Sequence, residues 1–205
     1  LTIRGSGSVL AARRPYAATV WMDRGYARPG ETLNASFSAR TLDGRPVQVT
    51  GTAELFRVGL DAAGKVQEEK VRSFKLEERE KGSGEIRFKG PEPGQYRFSV
   101  RLTDEKGNKE EGATVFNIRN VEDDGSKSRF NPLELVLDKK DYKPGEEVRL
   151  LINTKQKNST VLLFVRSTGS SADEVRRIRI KGKSKEVTVK LTREDMPNIF
   201  VHAVA

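Results

Sequence analysis

One nine-residue pattern occurs twice in this chain. Asp23-Arg24-Gly25-Tyr26-Ala27-Arg28-Pro29-Gly30-Glu31 returns without a gap as Asp138-Lys139-Lys140-Asp141-Tyr142-Lys143-Pro144-Gly145-Glu146, 115 residues further on. Each copy follows an apolar run (Ala18 to Met22, Leu133 to Leu137) and precedes an alternating one (Thr32 to Ala39, Val148 to Asn153). That is strand, turn, strand, used twice. The spacing is about one domain length, against roughly 20 to 50 residues per unit in a solenoid, and it predicts two copies of one globular fold in tandem.

With 35% apolar and 33% charged residues, each copy can bury only a thin core, as a two-layer β-fold does. Val, Ile, Leu and Phe recur in phase throughout, which sets the chain apart from a disordered one. It has no cysteine, so disulfides, thiolate metal sites and a cysteine nucleophile are excluded, while the redox compartment stays open. No apolar stretch approaches the roughly 18 to 20 residues of a membrane span. The chain starts at Leu1 with no methionine, basic n-region or apolar h-region, and reads as an excerpt from a longer protein.

Turn chemistry divides the first copy into seven expected strands: Tyr16 to Met22, Thr32 to Arg40, Gly51 to Val58, Val66 to Leu76, Gly84 to Lys89, Gln95 to Thr103 and Thr114 to Arg119. Gln67 to Lys81 is rich in Glu, Lys and Arg, and Val71, Phe74 and Leu76 fit neither the helical nor the strand period cleanly; strands broken by a charged loop are the expectation there. Asn120 to Ser128 has the composition of a linker, with a hinge near position 125. The second copy offers six strands: Leu133 to Leu137, Glu147 to Asn153, Thr160 to Arg166, Glu174 to Ile180, Glu186 to Leu191 and Asn198 to Val204. A counterpart of Thr114 to Arg119 is missing, so either a later segment supplies it or an edge stays exposed.

The net charge of +9 concentrates in Arg176 to Lys185. A groove that tracks phosphates interleaves aromatic platforms with its cations, and none is interleaved in that segment. Alternation of Arg and Lys with Ile also describes the solvated face of a half-buried strand, so nucleic acid is not an expected partner. The catalytic inventory is thin. His202 is the single histidine, on an expected strand between Phe200 and Val204, where a satisfied structural role is expected. Asp123-Asp124 and Glu77-Glu78 with Glu80 lack a loop pattern of alternate oxygen ligands, and Gly5-Ser6-Gly7-Ser8 precedes no convincing helix. No catalytic, metal or cofactor-binding residue is assigned.

The repeated turn is explained by backbone geometry: proline fixes φ at one corner, and glycine relieves the Cβ clash at the next. The tyrosine slips by one place between copies, Tyr26 against Tyr142, and reads as a packing residue tolerant of position. This motif, after an apolar strand, resembles the start of macroglobulin domains, the fibronectin type III-like sandwiches of the alpha-2-macroglobulin family. Asp141-Tyr142-Lys143-Pro144-Gly145-Glu146-Glu147-Val148, Leu150 to Asn153, Val161 to Arg166 and Met196 to Val201 are similar to the bacterial branch, in the domain just before the bait region. Trp21 to Tyr26, Leu42 to Val47 and Gly94-Gln95-Tyr96 are similar to the macroglobulin domain preceding it.

The resemblance implies an all-β fold of two tandem antiparallel sandwiches: residues 1–119 with an extended lead-in at 1–15, a linker at 120–131, and residues 132–205 without the last strand. It also implies a proteinase trap, in which a proteinase cuts a bait segment, the scaffold rearranges, and a Cys-Gln thioester bonds the attacker. This chain has no Cys-Gly-Glu-Gln, so a non-catalytic scaffold role is expected. Its partners would be neighbouring macroglobulin domains and, through the full-length protein, target proteinases, in an extracytoplasmic location. Two other readings remain: adhesive tandem sandwiches of a cell-surface protein, and polyanion binding through Arg176 to Lys185.

Overall fold

The computed structural model describes residues 13–79, 82–120, 122–126, 128–170 and 174–205. Most of the expected lead-in, Gly5 to Ser8 and Glu80 lie outside them, as do the side chains of Glu77 and Glu78. The strands are β1 (Ala17–Met22), β2 (Tyr26–Ala27), β3 (Thr32–Arg40), β4 (Val49–Leu60), β5 (Val66–Arg79), β6 (Ser83–Lys89), β7 (Gly94–Asp104), β8 (Lys109–Ile118), β9 (Leu133–Leu137), β10 (Glu147–Thr154), β11 (Ser159–Ser167), β12 (Glu174–Ile180), β13 (Ser184–Lys190) and β14 (Ile199–Val204). The fold is all-β, and its one helical element among the described residues is a 3-10 turn at Arg193–Asp195.

Four sheets form two facing pairs. In the N-terminal half, β1-β3-β6 faces the five-stranded β2-β8-β7-β4-β5. Period-2 patterning does this: Leu33, Ala35, Phe37 and Ala39 alternate inward along β3 and meet Tyr96, Phe98, Val100 and Leu102 from β7. Phe88 of β6 stacks on Phe98 across the layers, with ring centroids 5.5 Å apart. In the C-terminal half, β13-β10-β9 faces β12-β11-β14 over a second core of Val148, Leu150, Ile152, Val161, Leu163 and Ile180. All pairings are antiparallel except β2 with β8.

Several elements differ from the sequence expectation: β4 exceeds the expected Gly51 to Val58 at both ends, β8 begins at Lys109 rather than Thr114, and two more differ as follows. β2 was expected as turn; it is held as a strand because Tyr26 and Ala27 pair with Asn117 and Ile118. β5 runs on to Arg79 where a loop was expected, carried by pairing with β4 through two register shifts.

The repeated turn is built the same way twice. Asp23 Oδ1 accepts from Asn34 N and Asp138 Oδ1 from Arg149 N, each at 3.1 Å, pinning the turn to the strand that follows. Glu31 N donates to Arg28 O and Glu146 N to Lys143 O, each at 3.1 Å, with Gly30 at φ +77° and Gly145 at φ +90°. That is a type II turn, with proline at its second position and glycine at its third. The Glu31 and Glu146 carboxylates accept in turn from Arg28 N at 3.0 Å and Lys143 N at 2.8 Å.

A Cβ at Gly145 would meet nothing within 4 Å, so a substitution there is opposed by backbone strain alone. We expect Gly145→Val to cost more than the roughly 1 kcal/mol of an average point change and Gly145→Asn to cost less, read from urea unfolding midpoints.

Candidate functional site: the seam between the two cores

β10 is buried on both faces. Leu150 and Ile152 enter the second core, while Leu151 and Asn153 point the opposite way and are 2% and 0% exposed. Cross-strand pairing sets Leu151 between Val136 of β9 and Glu186 of β13. This row meets the first copy of the repeated turn. Gly25 N donates to Leu137 O at 3.2 Å, and a Cβ on Gly25 would stand 2.3 Å from Val136 Cγ1. The absence of a side chain permits that approach. The second copy has Lys140 at the equivalent position.

Tyr26 follows, almost fully buried, and donates its hydroxyl to Glu186 Oε2 at 2.9 Å. Arg28 Nη2 lies 3.6 Å from the other carboxylate oxygen of Glu186. Burial first, and then the bond to Glu186, pushes the Tyr26 hydroxyl far above its ordinary value. The slip of the tyrosine between copies therefore has consequences. Tyr26 spans the seam, whereas Tyr142 donates to Asp138 Oδ1 at 2.7 Å within its own half. Neither is the position-tolerant packing residue that the sequence reading expected.

The segment with a linker's composition is laced to both sides. Arg119 N donates to Ala27 O at 2.9 Å, and its buried guanidinium is 3.6 Å from Asp123 Oδ1. Burial draws the Arg119 guanidinium below its ordinary value, against the pull of Asp123 and Asp124. Asp124 O accepts from Lys183 N at 2.7 Å and Ser184 N at 2.9 Å. Gln95 Nε2 donates to Arg129 O at 3.3 Å, and Phe130 is buried. The hinge expected near position 125 is tied to both halves. Asp123 and Asp124 serve that tie and the local turn, where they accept from Gly125 N and Ser126 N.

The remaining candidates lie on the outer face of β12-β11-β14. Pairing brings Leu162 beside Arg177 and Val204, Phe164 beside Val175 and His202, and Arg166 beside Phe200. His202, for which a satisfied structural role was expected, is exposed on this face, 6.2 Å from the Phe164 ring. Arg166 lies 5.8 Å from the Phe200 ring centroid. Aromatics absent from the linear segment Arg176 to Lys185 are thus supplied by neighbouring strands. Leu162, Val175, Phe200 and Val204 are all exposed, and an apolar face edged with arginine is a composition that protein interfaces favour. Among the described residues no group of three His, Cys, Asp or Glu side chains could hold a metal ion, and no helix is long and apolar enough to cross a membrane.

Two β-layered bodies joined through the first copy of the repeated turn define a structural class, paired all-β sandwich modules with a shared polar and apolar seam. Residues 133–205 match the family model of the alpha-2-macroglobulin bait region domain. The matched stretch is about a third of the chain and coincides with its second sandwich. No curated protein matches the chain. Among solved structures it is similar to the native conformation of E. coli alpha-2-macroglobulin (15% identity, TM-score 0.31, covering 88% of this chain and 13% of that one). It is also similar to Salmonella alpha-2-macroglobulin reacted with methylamine (16%, 0.34, 92% and 14%). A third is the sporulation control protein Spo0M of Bacillus subtilis (11%, 0.37, 80% and 89%). The chain spans about an eighth of the length of those two macroglobulins.

Because Tyr26 keeps its proton in the folded chain at pH values where an unfolded tyrosine, with a pKa of about 10, loses it, folding stability falls as pH rises above about 10. Tyr26→Phe removes that contribution. We expect it to cost roughly 1 kcal/mol at pH 8 through the lost hydrogen bond. It should also flatten the decline above pH 10 by up to about 1.4 kcal/mol per pH unit, read from urea unfolding of both proteins at pH 8 to 11.

Proposed function

We propose that the chain is two consecutive, non-catalytic scaffold domains, residues 1–119 and 132–205 joined by 120–131, of an alpha-2-macroglobulin-like proteinase inhibitor. The observation that carries this reading is the match of residues 133–205 to the bait region domain. The duplicated turn, with its repeated Asp, Glu and glycine geometry, supports extending the domain assignment to the N-terminal half, and both sandwiches are of the fibronectin type III-like kind. Since the matching model is that of the bait region domain, the second sandwich adjoins the segment a proteinase would cut.

In this reading the seam is the working part. When the bait is cut, the two sandwiches move together as one body, because Gly25, Tyr26 and Asp124 fasten the first to the second. Packed domains of this kind switch by rigid-body shifts at their interfaces. The exposed face carrying Leu162, Val175 and Phe200 gives a neighbouring macroglobulin domain a surface to pack on. Proteinases are partners of the whole inhibitor rather than of these two domains, and its location is extracytoplasmic.

The test compares the 205-residue chain with a full macroglobulin chain containing it. The short chain should leave hydrolysis of both a protein and a small peptide substrate unchanged when added to a general proteinase. The long one should slow hydrolysis of the protein substrate while sparing the peptide. Inhibition by the 205-residue chain alone would overturn the scaffold role.

A further inference from the structure

Strand register gives each half a face that matches one on the other. In the second half, Leu151 of β10 pairs with Val136 of β9 on one side and Glu186 of β13 on the other. In the first, Ser36 of β3 pairs with Trp21 of β1 on one side and Glu85 of β6 on the other. Trp21 and Val136 are separated by the 115 residues of the repeat, as are Ser36 and Leu151, and in both halves a glutamate completes the row. Period 2 turns each row away from its own core, since Ala35 and Phe37 point inward beside Ser36, and Leu150 and Ile152 beside Leu151.

One of these faces is filled and the other is open. Over the second, Gly25 closes on Val136, Tyr26 donates to Glu186, Arg28 approaches the same carboxylate at 3.6 Å, and Leu151 is left 2% exposed. Over the first, Trp21 is 39% exposed, Ser36 is half-buried and Glu85 is exposed. The unlike residues compensate in size. Where the second half sets two side chains of middle size together, Val136 beside Leu151, the first sets a large one beside a small one, Trp21 beside Ser36, so the two rows offer an incoming turn similar bulk. An exposed tryptophan is also a residue type that interfaces favour as an anchor.

We propose that the outer face of β1-β3-β6 docks the turn of another sandwich module, one that carries glycine where this chain has Gly25 and tyrosine where it has Tyr26. The seam states what fits. Glycine lets the incoming backbone close on Trp21 as it closes on Val136. The tyrosine hydroxyl, with a basic residue two places further on, meets the Glu85 carboxylate as Tyr26 and Arg28 meet Glu186. A second copy of this chain is a poor occupant. Its first turn is engaged in its own seam, and its second has Lys140 in place of the glycine and a tyrosine bonded to Asp138. The inference rests on register and burial in the two halves and not on the proteinase-inhibitor reading, which stands or falls separately.

The probe is a cyclic peptide with the sequence of Asp23 to Glu31, added at up to millimolar concentration to the isotope-labelled 205-residue chain. Trp21 is the single tryptophan, so its indole N–H gives one NMR resonance, and that resonance reports from the proposed face. We expect it to move saturably, and Glu85→Gln in the chain to weaken binding by at least about threefold. The peptide with Gly25→Lys should leave the resonance in place, while Leu162→Lys in the chain, on the outer face of β12-β11-β14, should not alter binding. An indole resonance unmoved at millimolar peptide, or equal binding of the Gly25→Lys peptide, would overturn the proposal. So would a Trp21 already shielded from acrylamide in the free chain, which would mean that another segment of the chain covers the face. A resonance that moves with chain concentration alone would make a second copy the occupant and overturn it too. The measurements on the unmodified chain decide the matter even if a variant fails to fold.

Discussion

Leu151 belongs to neither hydrophobic core, yet it is almost completely buried, because Val136, Glu186 and the first repeated turn close over it. A sheet covered on one face by its own partner sheet and on the other by a neighbouring domain is fixed in two directions at once. Apolar burial gives the driving force here, on the order of 1.5 to 3 kcal/mol for a fully buried leucine. The polar contacts around it, Tyr26 to Glu186 and Asp124 to the start of β13, fix the register of one half on the other rather than adding much net energy.

The duplicated turn shows how one local solution acquires two uses. In both copies an aspartate holds the following strand, a glutamate closes the turn onto its own backbone, and a glycine takes positive φ. What differs is small. Glycine at 25, where the second copy has lysine, lets the first turn sink against β9, and the one-place shift of tyrosine turns an internal hydrogen bond into one that crosses the seam. The two small differences therefore decide which copy of the turn faces its own half and which faces the neighbouring one.

Much of this fold was legible in the sequence because alternation and turn residues are local signals. β3, β9 and β12 keep the limits that their patterns predict, and the type II turn follows from Pro-Gly alone. The seam was not legible in the same way, because it depends on which faces meet after folding. Leu150-Leu151-Ile152 did carry a clue: three apolar residues in a row break the alternation and mark a strand buried on both sides. Nothing local announces that Glu186 receives Tyr26 across 160 residues, nor that Phe164 and Phe200 join Arg177 on one face. The laced segment at Asn120 to Ser128 misled for the opposite reason, since its composition is that of a flexible connector while its backbone is held by Lys183 and Ser184.

Coupling of the two halves through the seam is most directly measured with Trp21, the single tryptophan, which lies on β1 in the N-terminal half. Leu151→Ala removes buried side chain from the C-terminal half only, and by the usual cost of such a truncation should destabilise it by about 2 to 5 kcal/mol. If the seam joins the halves into one body, the urea midpoint reported by Trp21 fluorescence falls with it. A Trp21 transition that stays where it was, while the C-terminal half loses stability, would contradict the account.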